Sequence, residues 1–126
     1  MPLVRVSIPQ SRGSECGAIG ESIHRAMLDT INVPPDDRFQ IFTEHPPEGL
    51  VYDSGYLGIP RTAGFIAIQI TLNMGRTLDQ KRALYGKIAA NLAEKPGIRP
   101  EDVLINLVEV PKENWSFGKG EASYAK

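Results

Sequence analysis

Several kinds of residue are scarce in this chain, and each shortage excludes something. Cys16 is the only cysteine in 126 residues, so no disulfide can form within the chain. With only His24 and His45 beside it, far apart in sequence, no metal-ligand cluster is expected. The formal charge is −1, from 14 basic and 15 acidic residues. Such a balance gives no general attraction to nucleic acid or to an anionic membrane surface, and any anion site must be local. The longest apolar run, Phe65 to Leu72, falls well short of the roughly twenty residues that span a bilayer. Arg5 and Ser7 interrupt the apolar N-terminal stretch, so no signal-peptide core forms there and a cytoplasmic protein is expected. Neither a Gly-rich phosphate loop nor a nucleophile elbow occurs.

What is present is the composition of a globular protein, 41% hydrophobic and 23% charged. Val4, Val6 and Ile8 alternate with Arg5 and Ser7, which predicts a strand with one face inward. Ser14 is placed to cap a helix whose inner face is Ile19, Ile23, Met27 and Ile31. Val33 to Asp37 carries turn chemistry, and Arg38 to Thr43 reads as a second strand. The Gly- and Pro-rich segment His45 to Ala63 is a long excursion, with at most a short strand near Leu50 to Tyr52. Phe65 to Leu72 is apolar at nearly every position and is expected to be buried on both faces. Thr77 and Gln80 fit a capping box for a second helix with Leu84, Ile88 and Leu92 inward, stopped at Pro96 and Gly97. Val103 to Val110 is a fourth strand, and the tail from Asn114 to Gly120 reads as turn and hairpin material.

The halves match at a constant offset of 65 residues. Ile19, Ile23 and Met27 fall on Leu84, Ile88 and Leu92, and Pro35, Asp37 and Glu44 fall on Pro100, Asp102 and Glu109. Two βαβ units follow, each with parallel strands and a right-handed crossover. They form an α+β fold in which two helices cover one face of a four-stranded sheet. The apolar third and fourth strands imply that other subunits cover the opposite face. The expectation is one domain over residues 1–126, with repeat halves of about 2–63 and 64–126.

Three residues invite a chemical reading, and each also has an ordinary one. If the initiator Met1 is removed, Pro2 becomes a secondary amine held at the lip of a sheet. An α-amino group titrates at roughly 7.7 to 8.0, close enough to neutrality to serve as base or acid. Proline in second place is also common by chance. Arg76 lies at the start of the second helix, where a cation costs a few tenths to about 1 kcal/mol unless an anion joins it. The helix amides and the guanidinium would together suit a carboxylate; solvation is the plain alternative. Asp37 has its repeat counterpart in Asp102, which by itself suggests a turn or capping purpose. His24, matched by Ala89, reads as a helix-flank residue, and His45 as loop surface.

Taken together, Pro2 at the head of a strand, the two βαβ halves and several short runs resemble the tautomerase superfamily. The runs are Asp37-Arg38-Phe39-Gln40, Gln69-Ile70-Thr71-Leu72 leading to Arg76-Thr77, and Asn114-Trp115-Ser116-Phe117-Gly118-Lys119-Gly120. Within the superfamily the chain is similar to the malonate semialdehyde decarboxylase group. The resemblance implies a homotrimer, Pro2 as the catalytic group, Asp37 as the acidic site residue, Arg76 in the Asn73 to Arg76 loop binding a substrate carboxylate, and Trp115 with Phe117 as an apolar wall. The decarboxylases carry an Arg-Pro-Arg run where Asn73-Met74-Gly75-Arg76 has one arginine and one residue more. Tautomerisation of a small 2-oxo or 2-hydroxy unsaturated acid by a neutral Pro2 is therefore the first expectation. Decarboxylation or hydration with a cationic Pro2 and Asp37 is the second, and a non-enzymatic ligand-binding or assembly module the third. Neither chemistry implies a cofactor.

Overall fold

The structure is a computed structural model and describes residues 2–124. Met1, whose removal a free Pro2 amine requires, lies outside the described residues. Four strands, β1 (Leu3–Pro9), β2 (Gln40–His45), β3 (Ile66–Asn73) and β4 (Val103–Val110), form one sheet in the order β2-β1-β3-β4. β1 runs parallel to β2, and β3 parallel to β4, as strands joined through a helix must; the two inner strands are antiparallel. Their register sets Val4 opposite Ile70 and Val6 opposite Ile68, so the inward side chains of both strands meet in one layer.

Helices α1 (Cys16–Ile31) and α2 (Leu78–Glu94) cover that layer. Ile19, Ile23, Met27 and Ile31 from α1 join Leu84, Ile88 and Leu92 from α2 and the inward residues of β1 and β3 in one buried cluster. The periodicity of 3.6 turns each helix's apolar stripe to the sheet. The helices are also tied to each other. Ser22 Oγ donates to the Lys95 carbonyl (2.6 Å), and Asn91 Nδ2 to the Ser22 carbonyl (3.1 Å). The capping box of α2 forms as expected, with Thr77 Oγ1 accepting from the Gln80 N–H (3.1 Å) and Gln80 Oε1 from the Thr77 N–H (2.9 Å).

Several expectations are corrected. Ser14 does not cap α1; it lies in a 3-10 turn (Gln10–Glu15) that delays the helix to Cys16. Arg12 explains the turn, because its Nε donates to the Gly64 carbonyl (2.9 Å) and its Nη1 to Glu15 (2.7 Å), holding the chain against the second half. β2 starts at Gln40 rather than Arg38, since Arg38 folds back over α1 to Glu21 (2.9 Å). Leu50 to Tyr52 forms no strand, and the tail has a 3-10 turn (Lys112–Asn114) followed by bends instead of a hairpin. β3 is not buried on both faces of the single chain: Ile66, Ile68, Ile70 and Leu72 are inside, while Gln69 is exposed and donates to Asn106 Oδ1 (3.2 Å) on β4. His24 is buried rather than on the flank, with its Nε2 2.9 Å from the Pro35 carbonyl. His45 is the last residue of β2 rather than loop surface. Asp102 does more than shape a turn, since its buried carboxylate accepts from the Thr62 N–H (2.7 Å) and hydroxyl (2.5 Å) and pins the long excursion to the sheet.

Candidate active site

Pro2 is buried immediately before β1. Leu3 is paired with Thr71, and Val4 with Gln40, while the Val4 N–H donates to the Phe39 carbonyl (3.0 Å). Extending those registers by one or two residues sets Pro2 level with Arg38 on one side and Leu72 on the other. The start of β2 and the end of β3 thus flank the chain's first described residue, and both carry candidate residues.

On the β2 side, Asp37 is 7% exposed, in the turn that follows α1. Burial pushes its carboxyl above the ordinary carboxylate range, with smaller effects from Asp36 and His24. On the β3 side, the chain turns through Asn73 to Arg76, and Gly75 takes the positive φ (120°) that the turn demands. Arg76 Nη1 donates back to the Asn73 carbonyl (3.0 Å), which fixes the guanidinium over the turn. The capping box already occupies the Thr77 and Gln80 amides, so the start of α2 offers an anion fewer free donors than the sequence suggested. Nearby, Glu109 is held below its ordinary range, chiefly by the hydrogen bond from Lys81 and to a lesser degree by Arg76.

The tail closes the arrangement. Trp115 Nε1 donates to Asn73 Oδ1 (2.7 Å), and Asn73 is itself buried. Trp115 stacks on Phe117 with ring centroids 5.4 Å apart, and Phe117 packs against Phe39 at 6.3 Å. Leu3, the residue after Pro2, lines an apolar pocket of about 230 Å³ with Phe39, Trp115 and Phe117. A polar depression of about 380 Å³ adjoins the Arg76 turn, lined by Asn73, Arg76, Gln80 and Lys112. The Trp115–Asn73 hydrogen bond joins the two, so Asn73, Arg76, Trp115 and Phe117 form one connected set. An amphipathic small molecule could lay an acid group toward the cations and its carbon skeleton along the rings.

Tyr124 belongs to the same neighbourhood and was not apparent from the sequence. It meets Phe117 edge-on at 5.2 Å, and burial raises its phenol pKa, with Asp37 raising it further and Arg76 lowering it. The tail turns back through Gly118, Lys119 and Gly120, within the stretch the sequence marks as turn material, but nothing in that pattern names Phe117 as the partner of Tyr124. Among the described residues no group of three or more His, Cys, Asp or Glu side chains could hold a metal ion. Nor is any helix of the described residues long and apolar enough to cross a membrane.

Comparison with known proteins agrees with this architecture. Two family models described as tautomerase enzyme match residues 37–118 and 2–58. The chain is 39% identical to the probable tautomerase YusQ of Bacillus subtilis (strain 168), over 97% of both chains. Among solved structures it is similar to an FG41 malonate semialdehyde decarboxylase inhibited by 3-bromopropiolate, with TM-score 0.91 and 32% identity, covering 97% of this chain and 93% of that one. A fused 4-OT symmetric trimer, 23% identical with TM-score 0.78 over 98% of both chains, shares the fold. The four-stranded sheet with its paired βαβ units, the matched family models and the full-length likeness place this chain in the tautomerase superfamily.

Proposed function

We propose that the chain is an amino-terminal-proline tautomerase acting on a small 2-oxo or 2-hydroxy unsaturated carboxylic acid. The observation that carries this reading is the placement of Pro2, buried at the head of an inner strand, next in the chain to Leu3 of the aromatic pocket and level with the two segments that bear Asp37 and Asn73 to Arg76. With Met1 removed, the neutral Pro2 nitrogen takes the proton from an enol hydroxyl and returns a proton to carbon. The O–H bond breaks, a C–H bond forms, the C=C bond becomes single and the C–O bond becomes a carbonyl. Arg76, with Asn73 beside it, receives the substrate carboxylate, Trp115 and Phe117 hold its carbon skeleton, and Asp37 sets the protonation of the amine. No cofactor takes part in this sequence of steps.

The place of Asp37, buried one residue before the position level with Pro2, favours a second reading, because a carboxylate near the amine stabilises its cationic form. A cationic Pro2 would polarise the carbonyl of a short 3-oxo acid, the bond to the carboxylate would break with loss of carbon dioxide, and the carbon would take up a proton. The likeness to a malonate semialdehyde decarboxylase supports keeping it. A homotrimer is part of the proposal: Leu104 and Val108 stand 44% and 37% exposed on β4, and a similar fold forms a trimer.

The test compares phenylpyruvate enol ketonisation with malonate semialdehyde turnover in wild type, Pro2→Ala and Arg76→Ala, after mass spectrometry has established that Met1 is absent. Pro2→Ala should lower ketonisation about 10²- to 10⁴-fold, and Arg76→Ala should raise KM. Equal ketonisation in all three proteins refutes the tautomerase; turnover of the semialdehyde alone assigns the second chemistry. Light scattering during size-exclusion chromatography reads the trimer.

A further inference from the structure

The repeat has a consequence at the other end of the sheet. At the offset of 65 residues, β2 and β4 end on matched positions, His45 and Val110, and each is followed by a matched 3-10 turn, Pro47–Gly49 and Lys112–Asn114. The same offset carries Arg76 to Ser11, Lys112 to Pro47, Trp115 to Leu50 and Phe117 to Tyr52. Ser11, Pro47, Leu50 and Tyr52 all line one cavity of about 360 Å³, together with His45 and Phe65. This cavity is the repeat mate of the two depressions at the Pro2 end. Its chemistry has diverged. Pro2 corresponds to Ala67, an interior residue of β3, so the mate has no amine. The cation positions hold serine and proline, and no Lys, Arg, Asp or Glu lines it among the described residues. A ring wall remains, because Tyr52 stacks on Phe65 at 5.2 Å. His45 Nε2 is buried at this wall without a hydrogen-bond partner among the described residues.

We propose that this cavity is a second binding site, specific for an uncharged single-ring hydroxyaromatic molecule. The ligand's ring packs against the Tyr52–Phe65 pair. A rotation of the imidazole presents His45 Nε2 to its hydroxyl, which gives a buried nitrogen the partner it lacks. A carboxylate is rejected, since it would lose its hydration with no cation to replace it. The two ends of the repeat therefore divide their ligands by charge.

The test uses phenol and benzoate as probes on the intact protein, followed by amide NMR. Phenol should give saturable shifts at Ser11, His45, Tyr52 and Phe65 with a Kd of about 1 mM, and leave Trp115 fluorescence unchanged. Benzoate should shift those amides at least about tenfold more weakly. Ala63→Leu narrows the cavity and Tyr52→Leu removes the stacked ring. Each should weaken phenol there about tenfold and leave phenylpyruvate ketonisation unchanged. Absence of saturation at these amides, phenol shifts confined to Leu3, Phe39 and Trp115, or equal affinity for benzoate would each overturn the proposal.

Discussion

The hydrogen bond from Trp115 Nε1 to Asn73 Oδ1 joins the aromatic wall to the arginine turn, and a double-mutant cycle measures what that connection contributes. Trp115→Phe keeps a ring to stack on Phe117 but deletes the donor, leaving an acceptor on a residue only 8% exposed. An unsatisfied buried polar atom costs about 1–3 kcal/mol, and because Trp115 is half-buried the lower end of that range applies, about 1–1.5 kcal/mol. Loss of the larger ring adds a packing cost of about 1 kcal/mol. Asn73→Leu leaves the indole N–H at a half-exposed place where water reaches it, so about 0.5–1 kcal/mol is expected. The double variant removes both partners and should be more stable than the sum of the single losses by about 1 kcal/mol. For a chain of this size each kcal/mol lowers Tm by about 3–5 °C. Circular dichroism at one protein concentration is the assay, since assembly makes stability depend on concentration. The backbone carbonyl of Asn73 also holds the Arg76 guanidinium, so a turn loosened by loss of the Trp115 bond should, in both single variants, raise KM for an acidic substrate more than it lowers kcat. Additive stability losses, within about 0.5 kcal/mol, would refute the claim that the bond couples the two walls.

Asp37→Asn should change the pH dependence of stability. Burial raises the folded carboxyl above its unfolded value, so the folded state holds its proton longer and wild-type stability falls as pH rises through the window between the two values. The variant's advantage in urea denaturation should thus be absent below that window, grow through it and stay constant above; an advantage independent of pH would contradict the burial argument. Asp102→Ala strips the acceptor from the Thr62 N–H and hydroxyl and leaves Arg99, 3.7 Å away, without its carboxylate. A loss of about 3 kcal/mol is expected, with faster proteolysis between Val51 and Arg61. Thr77→Ala opens the capping box of α2 and should cost about 1 kcal/mol in thermal unfolding.

What could be read from the sequence was what depends on neighbours in the chain. The 3.6-residue spacing of Ile19, Ile23 and Met27, the Thr77–Gln80 box and the limits of β4 all rest on local pattern, and the structure contains them. Where the reading failed, a distant residue intervened. Arg12 reaches Gly64 across 52 positions and converts the helix start into a 3-10 turn, displacing Ser14 from its cap. Arg38 is drawn off β2 by Glu21, and Asp102 is claimed by Thr62 from 40 positions away. The site divides in the same manner. Pro2 and Arg76 stand out by position, whereas the Trp115–Asn73 bond spans 42 residues and Tyr124 returns only because the tail bends at Gly118 to Gly120. No short pattern encodes either contact.

The repeat also explains why similar backbone ends carry different chemistry. Asp37 and Asp102 occupy equivalent turns and are both buried, yet Asp102 accepts two hydrogen bonds from Thr62 and has Arg99 within 3.7 Å, so its charge is matched within the fold. For Asp37 burial is the largest influence on the carboxyl. In the proposed mature enzyme, where Asp37 sets the protonation of the Pro2 amine, the two titrations are coupled: each proton gained by one changes the affinity of the other. Charge at this end is further supplied by Arg76 and Lys112, whose repeat mates are Ser11 and Pro47. Replacing Asp37 with a neutral residue should accordingly lower the apparent pKa of Pro2 in the pH profile of kcat/KM, while replacing Asp102 should leave that pKa in place and act on stability alone.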